Sequence, residues 1–142
     1  MSNEQNKAIV RHFVEEAQSH GRLSAVDEYL AQEFVDHNAP AGLPIDREGV
    51  KMQLTMLRTA FPDMQAVIHD QVAEGDKVVT RKSLRGAHLG DFLGIAPTGK
   101  AVSLEVIDIL RIVDGKILEH WNTVDLLGVL YQLGVMPAAV SA

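Results

Sequence analysis

The chain contains no cysteine, which excludes disulfides, thiol catalysis and zinc–thiolate sites from its 142 residues. It has no basic surplus either. The formal charge of -6 shows no patch suited to a phosphate backbone, and nucleic acid is not an expected partner. No run approaches the roughly 20 apolar residues that a membrane span requires, and the polar start MSNEQNKAIVRHF lacks the apolar core of a signal peptide. A soluble, cytoplasmic protein is therefore expected, with no membrane partner. Aromatics make up only 5%, with one Trp and two Tyr, so any aromatic side chain near a site stands out.

What is present is ordinary for a globular chain: 46% hydrophobic and 23% charged residues, enough to bury a core, with no repeat, low-complexity tract or linker. One domain spanning 1–142 is expected.

The most informative stretch is Leu104 to Asp125, LEVIDILRIV-DG-KILEHWNTVD. Two β-prone runs flank Asp114-Gly115, a pair that tolerates the positive φ angles of a two-residue hairpin turn. A regular ladder from that turn pairs Ile112 with Ile117, Leu110 with Glu119, Asp108 with Trp121, Val106 with Thr123 and Leu104 with Asp125. With a side-chain period of 2 these residues share one face. That face carries Asp108, Glu119 and Asp125 beside Trp121 and Leu104, while His120 and Asn122 turn to the other face with Ile107, Ile109, Leu118 and Val124. Both faces are half apolar, so one is expected to cover a core or pocket and the other to meet a helix or a second subunit.

Elsewhere the pattern is helical first and extended later. Val10, Phe13, Val14 and Ala17 predict an amphipathic helix over 3–19, ended by His20-Gly21. Ser24 with Asp27 resembles a capping box ahead of a short second helix. Asp46 is placed to cap a third helix with the stripe Val50, Leu54, Leu57 and Phe61, stopped by Pro62. Residues 64–74 and 77–85 predict a hairpin about Gly75-Asp76 that sets Asp70 opposite Arg81. A final helix begins at Asp125 and closes at Gly134 and Pro137. Helices followed by antiparallel strands indicate an α+β fold in which helices cross a curved sheet and enclose a cavity for a small hydrophobic molecule.

Two further patterns bear on chemistry. Gly94-Ile95-Ala96-Pro97-Thr98-Gly99-Lys100 matches the spacing of a phosphate-binding loop. The match lacks its context, because Ala101 replaces the magnesium-binding hydroxyl and a strand follows in place of a helix. The six histidines show no closely spaced ligand pair, so no metal is expected. Asp125 is the sharpest single candidate, since a carboxylate beside Trp121 and Leu104 loses hydration and becomes a proton carrier; its plain alternative is a helix N-cap.

Several segments together carry a family resemblance: Phe34-Val35-Asp36-His37, Phe61-Pro62-Asp63, Glu74-Gly75-Asp76 with Val78, Val79 and Arg81, Gly86-x-His88-x-Gly90, Pro97-Thr98-Gly99-Lys100, and Asp114-Gly115-Lys116-Ile117-x-Glu119-His120-Trp121-x-x-x-Asp125. Over about residues 7–135 the chain resembles the SnoaL-like polyketide cyclases, or ester cyclases. The resemblance implies the cone-shaped α+β fold of nuclear transport factor 2, a homodimer formed through the outer sheet face, and an intramolecular aldol condensation without metal or organic cofactor. It places the acid/base role on Asp125, with His37 or His88 as a supporting histidine. Trp121, Asp108, Glu119, Arg81 and Leu104 are then substrate-binding candidates, and Arg81, His88 or Asn122 candidate oxyanion donors. Other chemistry on the same cone, as an isomerase, epoxide hydrolase or dehydratase, stays open, as does a binding protein without catalysis.

Overall fold

The computed structural model describes residues 2–136. Helix α1 (Asn3–Phe13) opens on a capping box in which the Ser2 hydroxyl accepts from the Gln5 amide and the Gln5 side chain answers the Ser2 amide. The same helical run continues as a wider π-helical turn, Val14–Ser19, with the His20 amide reaching back five residues to the Glu15 carbonyl. The expected helix over 3–19 is thus one rod with a changed final turn. Helix α2 (Ser24–Tyr29) follows, but its first residue caps nothing: Ser24 accepts from the Arg22 guanidinium, and the N-cap residue is Leu23. Strand β1 (Leu30–Asp36) was not legible as a strand, because its short mixed pattern pairs in parallel with a segment more than 80 residues away. Helix α3 (Arg47–Ala60) is capped by Asp46, whose carboxylate accepts from the Gly49 amide at 3.2 Å, and it ends ahead of Pro62 as expected.

Strands β2 (Gln65–Glu74), β3 (Lys77–Ala87), β4 (Ala101–Val113) and β5 (Lys116–Val124) then form the sheet, and α4 (Leu126–Gln132) closes the described chain. The final stop read at Gly134 has its positive φ of 77°, while Pro137 lies outside the described residues. Among the described residues the sheet order is β1-β5-β4-β3-β2, curved and covered on one face by the helices. The phosphate-loop lookalike runs through a turn around Phe92 and Ile95 and on into β4, with no helix behind it. No helix among the described residues is long and apolar enough to cross a membrane.

Alternation along β4 is strict: Val102, Leu104, Val106, Asp108, Leu110 and Ile112 are all buried, facing the helices. Two apolar clusters fill that side. One joins Val10, Val14, Val26, Leu30 and Phe34 to Leu110, Ile112 and Ile117 near the β4–β5 turn. The other joins Phe61, Met64, Phe92, Val129 and Leu133 to Leu84, Leu104 and Val106 at the far end. Gly90 in the second region answers a steric demand, since a Cβ there would stand 2.0 Å from the Thr59 carbonyl oxygen.

Both hairpins leave their turns in the register that a two-residue turn requires and both shift it at a bulge, between Ile68 and Asp70 in β2–β3 and just beyond Ile112 in β4–β5. Glu74 pairs with Lys77 and Asp70 with Arg81, as the two-residue turn requires. In β4–β5 the turn forms as expected, with Asp114 at φ 50° and Gly115 at φ 76°, and Val113 pairs with Lys116 and Ile112 with Ile117. Beyond that a bulge inserts one extra β5 residue. Arg111 now pairs with Glu119, Leu110 with His120, Ile109 with Trp121 and Asp108 with Asn122. Every β5 side chain past the bulge is turned over relative to an unbroken ladder. Ile117 stays fully buried, Glu119 is released to the outer Arg111, and His120 and Asn122 come inward.

Candidate functional site

Between the two apolar clusters lies a cavity of about 560 Å³ whose wall draws on both: Phe34, Leu54, Leu110 and Ile117 from the first, Leu84, Phe92, Leu104 and Val106 from the second. A cavity of that size and lining suits a small hydrophobic molecule. Its polar groups are few. They are Gln18, Asp36, Asn38, Gln53, Lys82, Asp108, His120 and Asn122, with Thr55, Thr59 and Asp91 toward its edge on α3 and the 88–100 loop.

Strand pairing sets the central ones side by side on the sheet floor. Asp36 at the end of β1 pairs with His120, and Asp108 is flanked by Asn122 on β5 and Thr80 on β3. Asp36 is 3% exposed, and its Oδ1 sits 3.0 Å from His120 Nδ1. The Asn38 amide donates to the same oxygen at 3.0 Å and Gln53 Nε2 to Oδ2 at 3.1 Å. Burial acts most strongly on this carboxyl and pushes its pKa up, but the hydrogen bond and charge of His120, with the Gln53 and Asn38 donors, together hold it below the ordinary range. An ionised carboxylate only accepts, so Nδ1 of His120 carries a proton toward Asp36, and in the neutral ring Nε2 is the nitrogen that can accept one.

Of the residues singled out from sequence, Asp108, Leu104 and the candidate oxyanion donor Asn122 line the cavity. The others stand elsewhere, for definable reasons. Asp125 is exposed and its Oδ1 accepts from the Gly128 amide at 2.9 Å, so it caps α4 and is not on the cavity wall. The bulge turns Glu119 and Trp121 to the outer face. There Glu119 meets Arg111 at 2.9 Å and His37 at 3.0 Å, and Trp121 stacks on His37 with ring centroids 4.7 Å apart. The Arg111 hydrogen bond, then that of His37, holds the Glu119 carboxyl below its ordinary pKa. His37 is therefore an outer-face partner rather than a cavity group. Arg81 also points outward, bonded to Asp70 at 3.1 Å with both side chains more than half exposed. His88 is fully buried but lies against Phe61 and Phe92, its Nδ1 taken up by the Thr98 amide and hydroxyl, as a packing residue behind the cavity wall.

Sequence reasoning missed Asp36, Gln53 and Lys82, and it set His120 and Asn122 on the wrong face. Asp36 stood in a recognised motif, and the signal available was a carboxylate directly after the apolar pair Phe34-Val35. Among the described residues no three His, Cys, Asp or Glu side chains are grouped as a metal site would need.

Comparison with known proteins gives a consistent result. A family model described as SnoaL-like polyketide cyclase matches residues 8–133. The chain is 33% identical over 131 residues to aklanonic acid methyl ester cyclase DauD of Streptomyces sp. (strain C5), covering 89% of this chain and 80% of that one. It is 31% identical over 119 residues to the nogalonic acid methyl ester cyclase of Streptomyces nogalater, covering 80% of this chain and 87% of that one. Among solved structures it resembles TsrD from Streptomyces laurentii, with a TM-score of 0.86, 30% identity and coverage of 96% and 99%. Wild-type IdmH from Streptomyces antibioticus superimposes with a TM-score of 0.80 at 36% identity, covering 92% of this chain and 99% of that chain.

Proposed function

Because the chain belongs to the SnoaL-like polyketide cyclase family, we propose that it closes a ring by intramolecular aldol chemistry, without cofactor, on an aromatic polyketide methyl ester held in the cavity. The observation that carries the proposal is the Asp36–His120 pair, a tautomer-fixed imidazole on the floor of an apolar chamber.

His120 Nε2 takes an acidic proton from the carbon between two carbonyls. The enolate attacks a ketone carbonyl across the forming ring, and the new alkoxide recovers the proton from His120. Asp36, ionised and anchored by Asn38 and Gln53, holds the ring orientation and stabilises the transient imidazolium. Asn122, brought inward by the bulge, offers its amide to the developing oxyanion. The substrate's own acidity makes one proton carrier and good positioning sufficient. The apolar wall excludes water, which favours condensation over side reactions.

The protein is proposed to act in the cytoplasm as a homodimer. Ile107 and Val72, exposed on the outer face with half-buried Trp121 between charged neighbours, support pairing of that face. The test of the chemistry is turnover of aklanonic acid methyl ester and of the nogalonic ester by the purified protein, followed by chromatographic separation and chirality of the ring-closed product, which is an isomer of its substrate. Ring-closed product from the parent but not from His120→Asn is expected, and parental turnover by His120→Asn would remove the assignment.

A further inference from the structure

A second ionic pair stands on the same cavity floor, and the acid/base chemistry above does not use it. Lys82 Nζ lies 2.9 Å from Asp108 Oδ2, and both side chains are 4% exposed. The two residues come from neighbouring strands, β3 and β4, and both line the cavity. The pair is half satisfied. Asp108 Oδ1 is buried and has no hydrogen-bond partner among the described residues, and Asp108 Oδ2 is the acceptor found there for the Lys82 ammonium, which carries three protons. Removing two charges from water is costly, and a buried pair is ordinarily bonded at every remaining position. A stray structural ion pair would be better served by neutral packing, whereas a free acceptor next to an ammonium with protons to spare is matched by a ligand that brings one donor and one acceptor.

Resting on the reading of this cavity as a substrate site, we infer that Lys82 and Asp108 form a clamp for the enol of a neutral 1,3-dicarbonyl group. The enol hydroxyl donates to Asp108 Oδ1 and the conjugated carbonyl accepts from Lys82 Nζ. The clamp holds the enol that forms when His120 carries the proton from the carbon between the two oxygens to the oxygen facing Asp108, and it orients that carbon. His120 takes the enol proton back as the carbon attacks the ketone and gives it to the new alkoxide. His120 is within reach of that carbon because its cross-strand partner Leu110 is two residues from Asp108, a diagonal separation of about 7–8 Å in an antiparallel sheet. Charge makes the clamp selective. The cavity floor carries the carboxylates of Asp36 and Asp108 against the one ammonium of Lys82, so a free carboxylate on the ligand is repelled while its methyl ester is accepted.

Binding of stable analogues, measured by calorimetry without turnover, tests the clamp separately from the cyclase chemistry. Methyl 1-hydroxy-2-naphthoate carries the hydroxyl and ester carbonyl in the enol arrangement, methyl 2-naphthoate lacks the hydroxyl, and 1-hydroxy-2-naphthoate carries the free carboxylate. The parent protein is expected to bind the hydroxy ester roughly tenfold to a hundredfold more tightly than either control, the range for one hydrogen bond to a charged partner. In the double variant Lys82→Met with Asp108→Leu, which removes both charges together and so leaves none unpaired, the preference over methyl 2-naphthoate falls to parity. A second double variant, Lys82→Gln with Asp108→Asn, keeps the size and polarity and is expected to lose most of the preference over methyl 2-naphthoate while still rejecting the free acid, because the Asp36 carboxylate remains on the cavity floor. The clamp is overturned if the parent shows no preference, if the preference survives in Lys82→Met/Asp108→Leu, or if the free acid binds best. Should ring closure fail with every ester while the preference holds, the clamp stands and the cyclase chemistry falls.

Discussion

On the outer face of the sheet Arg81 meets Asp70 at 3.1 Å with side chains 53% and 61% exposed; on the inner face Lys82, the next residue along β3, meets Asp108 at 2.9 Å with both at 4%. The chemistry of the two contacts is the same and their surroundings are opposite. Outside, water and salt screen the charges, and the pair contributes little beyond register. Inside, each charge depends on its partner, and whatever is left unbonded is available to a ligand. Glu119 and His120 repeat the contrast as adjacent residues of β5. Glu119 joins a partly exposed group on the outer face with Arg111 and His37, while His120 turns in to a buried carboxylate. One bulge decides which of them belongs to the cavity.

The sharpest way to break this contrast is at His120. Substitution by Asn, which keeps polarity and approximate size, should lower turnover by about 10²–10⁴-fold, the usual contribution of a positioned proton carrier, with the circular dichroism unchanged. Next in size is the inner ion pair. Lys82→Met alone leaves Asp108 buried and uncompensated and should destabilise the fold by roughly 3–5 kcal/mol in urea, whereas the double change with Asp108→Leu should recover most of that loss. A smaller effect is expected from acid. The Asp36 pKa is depressed by folding, so the stability it contributes is fully present above the ordinary carboxylate value near ~4 and is lost as pH falls through the lower folded value. The gap in urea midpoint between the parent and Asp36→Asn should thus be constant above about pH 5 and close below about pH 4, and a gap that persists at still lower pH would contradict the ionised assignment. Least of all is expected outside: Arg81→Ala should move Tm by no more than ~2 °C, with the difference shrinking in salt.

Much of the architecture was legible in residue order. Asp114-Gly115 and Gly75-Asp76 marked both hairpin turns, and Asp46 and Pro62 bracketed α3, while the two faces of β4 were both half apolar and left open which of them is buried. The site was less legible, because cavity membership on β5 depends on a single extra residue beyond Ile117, and no composition or turn rule announces a bulge in mid-strand. Asp125 illustrates the cost. An unbroken ladder carries it to the cavity wall, while the real one leaves it at the strand end, where its preference for a helix N-cap prevails. Strand β1 was hidden for a related reason. Its pairing with β5 is parallel and long-range, so Asp36 acquires its partner from tertiary structure alone.

The most direct test of the account sets these two β5 residues against each other in the ring-closing assay with the methyl ester substrate proposed above. Asp125→Asn retains a competent helix cap and should turn over substrate at close to the parental rate, while His120→Asn should be nearly inactive. The opposite outcome, an inactive Asp125→Asn beside an active His120→Asn, would contradict the placement of the acid/base chemistry on the Asp36–His120 pair.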